Sequence, residues 1–205
     1  MIGLPIQSYR PMNIGSSIDE PIALELPAGF VVIDLPIAAG EDAHVVGRRA
    51  AEAAIAIVAP GSALGYDGTR PIVVPASSSS STAGASVSIT HTRGRAIALA
   101  GHVAHLGVDL VDDADAERIA AIALRYFTAG ELALCADRHA YTCVFAAKEA
   151  ALKALGLGLL DGGAFDRAWP VRVVSLDPPE LDIEGDALAV VIGRAGSATI
   201  AVAYR

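Results

Sequence analysis

Within Phe145-Ala146-Ala147-Lys148-Glu149-Ala150-Ala151-Leu152-Lys153, a carboxylate and an ammonium group stand four residues apart among strong helix formers. That spacing places Glu149 and Lys153 on one helix face, about one turn from each other. Alone, such a pair is a solvated surface ion pair contributing a few tenths of a kcal/mol. Upstream, Gly107-Val108-Asp109-Leu110 sets a carboxylate in an otherwise apolar strand. An ionised Asp there is costly unless a cation or hydrogen-bond donors compensate it, a strand-end backbone amide being the plainest donor. If the helix packs across that strand, Asp109 and Glu149 converge on a hard-oxygen site of the kind that takes Mg²⁺ together with waters and phosphate oxygens. In Ser88-Ile89-Thr90-His91-Thr92, hydroxyls and an imidazole at a strand end suit phosphate oxygens. His44, His102, His105 and His139 read as ordinary histidines satisfied by backbone.

The elements that must position these groups follow from apolar period and turn residues. Residues 1–20 read as an arm with little periodicity. Ile22 to Leu26 and Phe30 to Ile37 suggest two strands joined by Pro27-Ala28-Gly29. Glu41 to Val58 has helical spacing and carries Arg48 and Arg49, whereas Gly65 to Pro71 is turn-like and Ile72 to Val74 a short apolar run. Ser77 to Ser81 reads as a flexible loop. Val87 to Thr92, Ala96 to Ala100 and Leu106 to Val111 have the pattern of neighbouring antiparallel strands. Three helices follow: Ala116 to Tyr126 capped by Asp115, one capped by Thr128 with Glu131 in the capping-box position, and the Glu149 helix ending near Leu155-Gly156. Beyond the Gly-rich link Gly156 to Gly163, strands are expected at Pro170 to Leu176, Ala187 to Ile192 and Thr199 to Tyr204.

The expected class is therefore α+β, with two similar lobes, each a small antiparallel sheet packed with helices, facing each other across a cleft. The boundary falls at 1–104 and 105–205. Composition sets the outer limits. The 205 residues supply ample apolar content, 53%, and no uninterrupted apolar run reaches the roughly 18 residues a membrane span needs. Met1 to Pro11 lacks a basic leader followed by an apolar stretch, which makes the cytoplasm the expected location. A net charge of −8 argues against general nucleic-acid affinity while leaving room for a local basic pocket. Cys135 and Cys143 lack zinc spacing and read as reduced, semi-buried residues.

Taken together, the segments resemble the 4'-phosphopantetheinyl transferases. Gly107-Val108-Asp109 followed by Phe145 to Lys153 looks like their paired signature, in which an aromatic residue precedes Lys-Glu and a further Lys. Thr90-His91-Thr92 resembles their Ser-His-Ser/Thr element and Gly68-Thr69-Arg70-Pro71 their Gly-Lys/Arg-Pro turn. His44-Val45-Val46-Gly47-Arg48 resembles a helical stretch of the siderophore-type members that carries a coenzyme A-contacting arginine. The resemblance spans about residues 41 to 165. It implies a monomeric, Mg²⁺-dependent enzyme that moves the phosphopantetheine arm of coenzyme A onto a serine of an apo acyl or peptidyl carrier protein, releasing adenosine 3',5'-bisphosphate. Residue by residue, it implies Asp109 and Glu149 as metal ligands, Lys148 and Lys153 against the phosphates, and Arg48, Arg70, Thr90 and His91 on coenzyme A. Glu149 is implied as a base for the serine proton, with Lys153 and Asp109 beside it in catalysis.

Val111 departs from the pattern. Many surfactin-type members place a second acid two residues after the aspartate, on the same strand face. Val111 instead resembles the shorter acyl-carrier-protein synthase class and leaves two protein ligands for the metal. Glu131 matches a Phe-Ser/Thr-x-x-Glu stretch of the family, but its capping-box role accounts for it without catalysis. A catalytically weak member that binds coenzyme A or a carrier protein is the serious alternative. A serine hydrolase lacks its Gly-x-Ser-x-Gly elbow, and a dinucleotide-binding fingerprint fails at Asp161.

Overall fold

The computed structural model describes residues 22–76, 84–157, 171–184 and 187–205. The arm at 1–20, the serine tract Ser77 to Ser81 and the link from residue 158 onward lie outside the described residues. In chain order the elements are β1 (Ile22–Ala23), β2 (Val31–Pro36), α1 (Ala43–Val58), β3 (Ala63–Asp67), β4 (Arg70–Val74), β5 (Ala85–His91), β6 (Arg95–His102) and β7 (Leu106–Asp112). A 3₁₀ turn at Asp113–Asp115 leads into α2 (Ala116–Tyr126), α3 (Ala129–Leu134) and α4 (Arg138–Ala154). The remaining strands are β8 (Val171–Leu176), β9 (Pro179–Ile183), β10 (Ala189–Ala195) and β11 (Ala198–Tyr204). The class is α+β with antiparallel sheets.

Sheet connectivity departs from the neighbour-to-neighbour expectation. One sheet has the order β2-β6-β5, the other β1-β10-β11-β7, with β3-β4 and β8-β9 as separate hairpins. Strand β7 thus pairs with β11, Asp109 opposite Ala201, and not with β6. Strand β1 does not form a hairpin with β2; it pairs with β10, Ile22 opposite Ala195. The expected turn at Gly65 to Pro71 is in fact a hairpin in which Gly65 stands opposite Ile72, and β9 adds a strand to the expected set.

Three apolar clusters show how the sheets stack. The period of two sends Ile97 and Leu99 of β6 and Leu106, Val108 and Leu110 of β7 into one core shared by the two sheets. The opposite face of the first sheet, with Ile33 and Val87, packs on Ala50, Ala54 and Ile55 of α1. The opposite face of the second, with Val111, Ala201 and Ala203, packs on Ala146, Ala147 and Ala150 of α4. Each helix therefore covers the outer face of one sheet.

The helices are firmly bounded. Asp42 caps α1 by accepting from the His44 amide at 2.8 Å, and Asp137 caps α4 by accepting from the Ala140 amide at 2.8 Å. Thr128 and Glu131 form the full capping box on α3. Asp115 makes no side-chain cap at α2, where the 3₁₀ turn already occupies the entry.

Gly107 sets the spacing that matters for the site. A Cβ there would overlap the Ala150 carbonyl and crowd the Ala154 amide, so α4 lies on β7 at backbone contact. Gly107→Ala is expected to exceed the roughly 1–3 kcal/mol of ordinary overpacking, because backbone rather than a mobile side chain must give way. Urea unfolding of the variant measures this, and an unshifted midpoint would refute the close approach.

Candidate active site

Close packing of α4 on β7 brings Asp109, Glu149 and Lys153 together. Asp109 faces α4 from the middle of β7 and is 7% exposed. Lys153 Nζ donates to Asp109 Oδ1 at 2.7 Å and to the Val108 carbonyl at 3.1 Å. Thr90 Oγ1 also donates to Asp109 Oδ1, at 3.2 Å, while accepting from the Leu110 amide at 3.1 Å. One residue pair back, Ser88 Oγ accepts from the Val108 amide at 3.0 Å. Side-chain hydroxyls of β5 thus satisfy edge-strand amides of β7 where no backbone ladder joins the sheets.

Glu149 is the unusual group. It is buried, and its Oε1 has no hydrogen-bond partner among the described residues. Burial, aided by the nearby Asp109 charge and opposed by Lys153, pushes its carboxyl up to about 8. Two adjacent carboxylates, one with an orphaned buried oxygen, form an acceptor set suited to a hard divalent cation. No group of three His, Cys, Asp or Glu side chains gathers at a metal-sized site among the described residues. Val111 is buried in the α4-side core, while Asp113 is taken by Arg194 at 2.6 Å.

On the other flank stands His91, at the end of β5. Burial lowers its pKa, with His44 and Lys153 lowering it further and Asp109 and Asp42 opposing them. Its ring meets that of His44 edge to face, centroids 4.9 Å apart and planes at 87°. His44 lies on α1, which approaches β5 closely because residue 47 is glycine; a Cβ there would come within 2.9 Å of Ile89 Cγ2. Arg48 is one turn further along α1, exposed, bonded to Glu52 at 3.2 Å and 5.8 Å from the Tyr66 ring centroid. Arg70 reaches the end of α4: its Nη1 lies 2.8 Å from where a Cβ on Gly156 would stand.

Two of the expected ligand contacts are placed differently. Lys148 does not face this group. Its Nζ lies 2.8 Å from each carboxylate oxygen of Glu131 and donates to the Tyr126 carbonyl, and the residue is 2% exposed. The correction follows from helix geometry, since consecutive residues point about 100° apart. Thr90 is likewise buried, its hydroxyl committed to Asp109 and Leu110, so it orients the carboxylate and does not present itself to a ligand.

Cys135 and Cys143 are unpaired thiols, and burial raises the pKa of both. No helix among the described residues is long and apolar enough to cross a membrane.

Residues 105–197 match the model of the 4'-phosphopantetheinyl transferase superfamily. The matched stretch includes Asp109, Glu149 and Lys153 and leaves out Arg48, Arg70, Thr90 and His91. No curated protein matches the chain.

Proposed function

We propose, on the premise that residues 105–197 carry a 4'-phosphopantetheinyl transferase superfamily domain, that this chain moves the phosphopantetheine arm of coenzyme A onto a serine of an apo acyl or peptidyl carrier protein. The observation that carries the proposal is the buried pair Asp109 and Glu149 with Lys153 bonded to the first at 2.7 Å. Asp109 and Glu149 would hold Mg²⁺, which when bound neutralises charge on the pyrophosphate oxygens. Lys153 places a cation beside the same phosphates, where charge develops as the anhydride breaks. The serine Oγ attacks the β-phosphorus, an Oγ–P bond forms, and the P–O bond to the nucleotide half breaks. Adenosine 3',5'-bisphosphate leaves with that electron pair. Glu149, ionised beside the bound cation, would take the serine proton directly or through water.

Arg48, Arg70 and His91 hold the 3'-phosphate and adenosine end of coenzyme A, a role suited to the planar guanidinium. In this reading the enzyme is a cytoplasmic monomer of two lobes, 1–104 and 105–205, with the substrate in the cleft between them. Strand β1, which reaches across to β10, would tie the lobes together.

The test is mass spectrometry of apo carrier proteins of fatty-acid, polyketide and peptide type incubated with the protein, coenzyme A and Mg²⁺. A mass gain equal to phosphopantetheine on the carrier serine is expected. Unmodified carriers of all types would favour the second reading, a member that binds without transferring, for which the buried Val111 in place of a second acid is the specific support.

A further inference from the structure

The last carbonyls of a helix need partners from outside it, and Lys153 lies in the final turn of α4. Where the chain leaves that helix, the Leu152 carbonyl accepts from the Leu157 amide at 2.8 Å and the Lys153 carbonyl from the Gly156 amide at 3.1 Å. These are the paired bonds of a glycine cap, with Gly156 in the left-handed region at φ 72°. The next carbonyl, that of Ala154, is met by a side chain from another element: His105 Nδ1, 3.1 Å away. His105 is half-buried and stands just ahead of β7. Its Nε2 lies 2.9 Å from Arg205 Nη2. A carbonyl only accepts and a guanidinium only donates, so both partners demand the same tautomer, with the proton on Nδ1 and Nε2 accepting. Arg205 is held in place by backbone, its amide donating to the His105 carbonyl at 3.1 Å and its carbonyl accepting from the His105 amide at 3.2 Å.

His105 and Lys153 thus join the same two elements from opposite directions. Lys153 reaches from α4 to the Val108 carbonyl at 3.1 Å and to Asp109 at 2.7 Å, while His105 reaches from the head of β7 to α4. Between them lies Gly107, with α4 backbone against it. We propose that His105 is a positioning residue: its Nδ1–H bond to the Ala154 carbonyl keeps the last turn of α4 closed and so holds Lys153 at Asp109, with Arg205 selecting the tautomer that can make the bond. Helices fray from their ends, and Lys153 is the residue next to Ala154, so a turn that opens there carries its ammonium group away. This inference rests on the transfer reading above and adds to it the support that keeps its cation in place.

Hydrogen exchange and transfer kinetics on the full chain test it together. In His105→Ala the Gly156 and Leu157 amides, which close the last turn, should exchange about tenfold faster, the scale of one hydrogen bond. Amides in the buried middle of α4, at Val144 and Ala147, should stay slow and report an intact fold. With Mg²⁺, coenzyme A and an apo carrier, kcat should fall by about the same factor with KM for coenzyme A little changed, because Lys153 acts where charge develops. His105→Asn sets an amide N–H where Nδ1–H stands and should keep both rates near those of wild type. His105→Gln, whose amide reaches toward the place of Nε2, should behave like His105→Ala. Asn and Gln variants that behave alike would reduce His105 to a packing residue and overturn the proposal. So would exchange unmoved in His105→Ala, whatever wild type transfers, or faster exchange with kcat intact. Wild type that modifies no carrier would instead sink the transfer reading, and the exchange rates alone would then decide whether His105 holds the helix end.

Discussion

Glu149→Gln is expected to abolish the proposed transfer while leaving the protein folded, a loss of at least the 10²–10⁴-fold that a positioned acid–base group supplies. Gln keeps the shape and loses both the negative charge and the basic oxygen. The same variant carries a second signature that is independent of catalysis. In chelator-treated buffer the wild-type carboxyl, raised from 4.5 to about 8, makes the native state bind more protons than the unfolded state between those pH values. Stability therefore falls as pH rises through that window. Glu149→Gln lacks the titration, so its stability should decline less across the window than that of wild type. Mg²⁺ should raise the wild-type unfolding midpoint and leave that of the variant unmoved. Urea unfolding at pH 5 and pH 8, with and without Mg²⁺, reads all of this. Wild-type transfer by the variant would remove Glu149 from both proposed roles.

Lys148→Met is expected to cost about 3–5 kcal/mol of stability, the scale for breaking one side of a buried ion pair. Glu131 is fully buried and serves several donors: the Thr128 amide at 2.7 Å, the Val173 amide at 2.9 Å and Lys148 at 2.8 Å. Removing the lysine leaves that carboxylate buried with two amides and no counter-charge. Because the pair ties α3, α4 and β8 together behind the helix, the variant should also transfer more slowly without losing coenzyme A affinity in proportion. Urea unfolding gives the stability loss, and a midpoint within error of wild type would show that the charge is dispensable.

How far the sequence could be read follows from which interactions are local. The facing of Asp109 and Glu149 rests on a strand period of two, a helix period near four and a glycine at 107, all visible in the chain. Lys148 was misjudged because its partner is the capping-box glutamate of another helix; capping accounts for one side of Glu131 and hides the rest. Thr90 was misjudged for a similar reason. A hydroxyl beside a histidine reads as a ligand contact until β5 is known to lie along β7, and that adjacency depends on β7 pairing with β11, nearly at the other end of the chain. The β1 pairing to β10 was equally out of reach, since two residues carry it. Arg70 was readable as a turn arginine, but its meeting with the end of α4 comes from two distant segments.

The hydroxyl seam between β5 and β7 has a mechanical meaning. A ladder of amides would join the sheets by backbone, whereas here two rotatable side chains join β5 to β7 beside the apolar core the sheets share. Thr90 is one of those two, and it is also a donor to Asp109. Any rocking of one sheet against the other that pulls β5 from β7 therefore strips a hydrogen bond from the very carboxylate on which the site is built. Asp109 would then keep only the donor that α4 brings it, Lys153 at 2.7 Å.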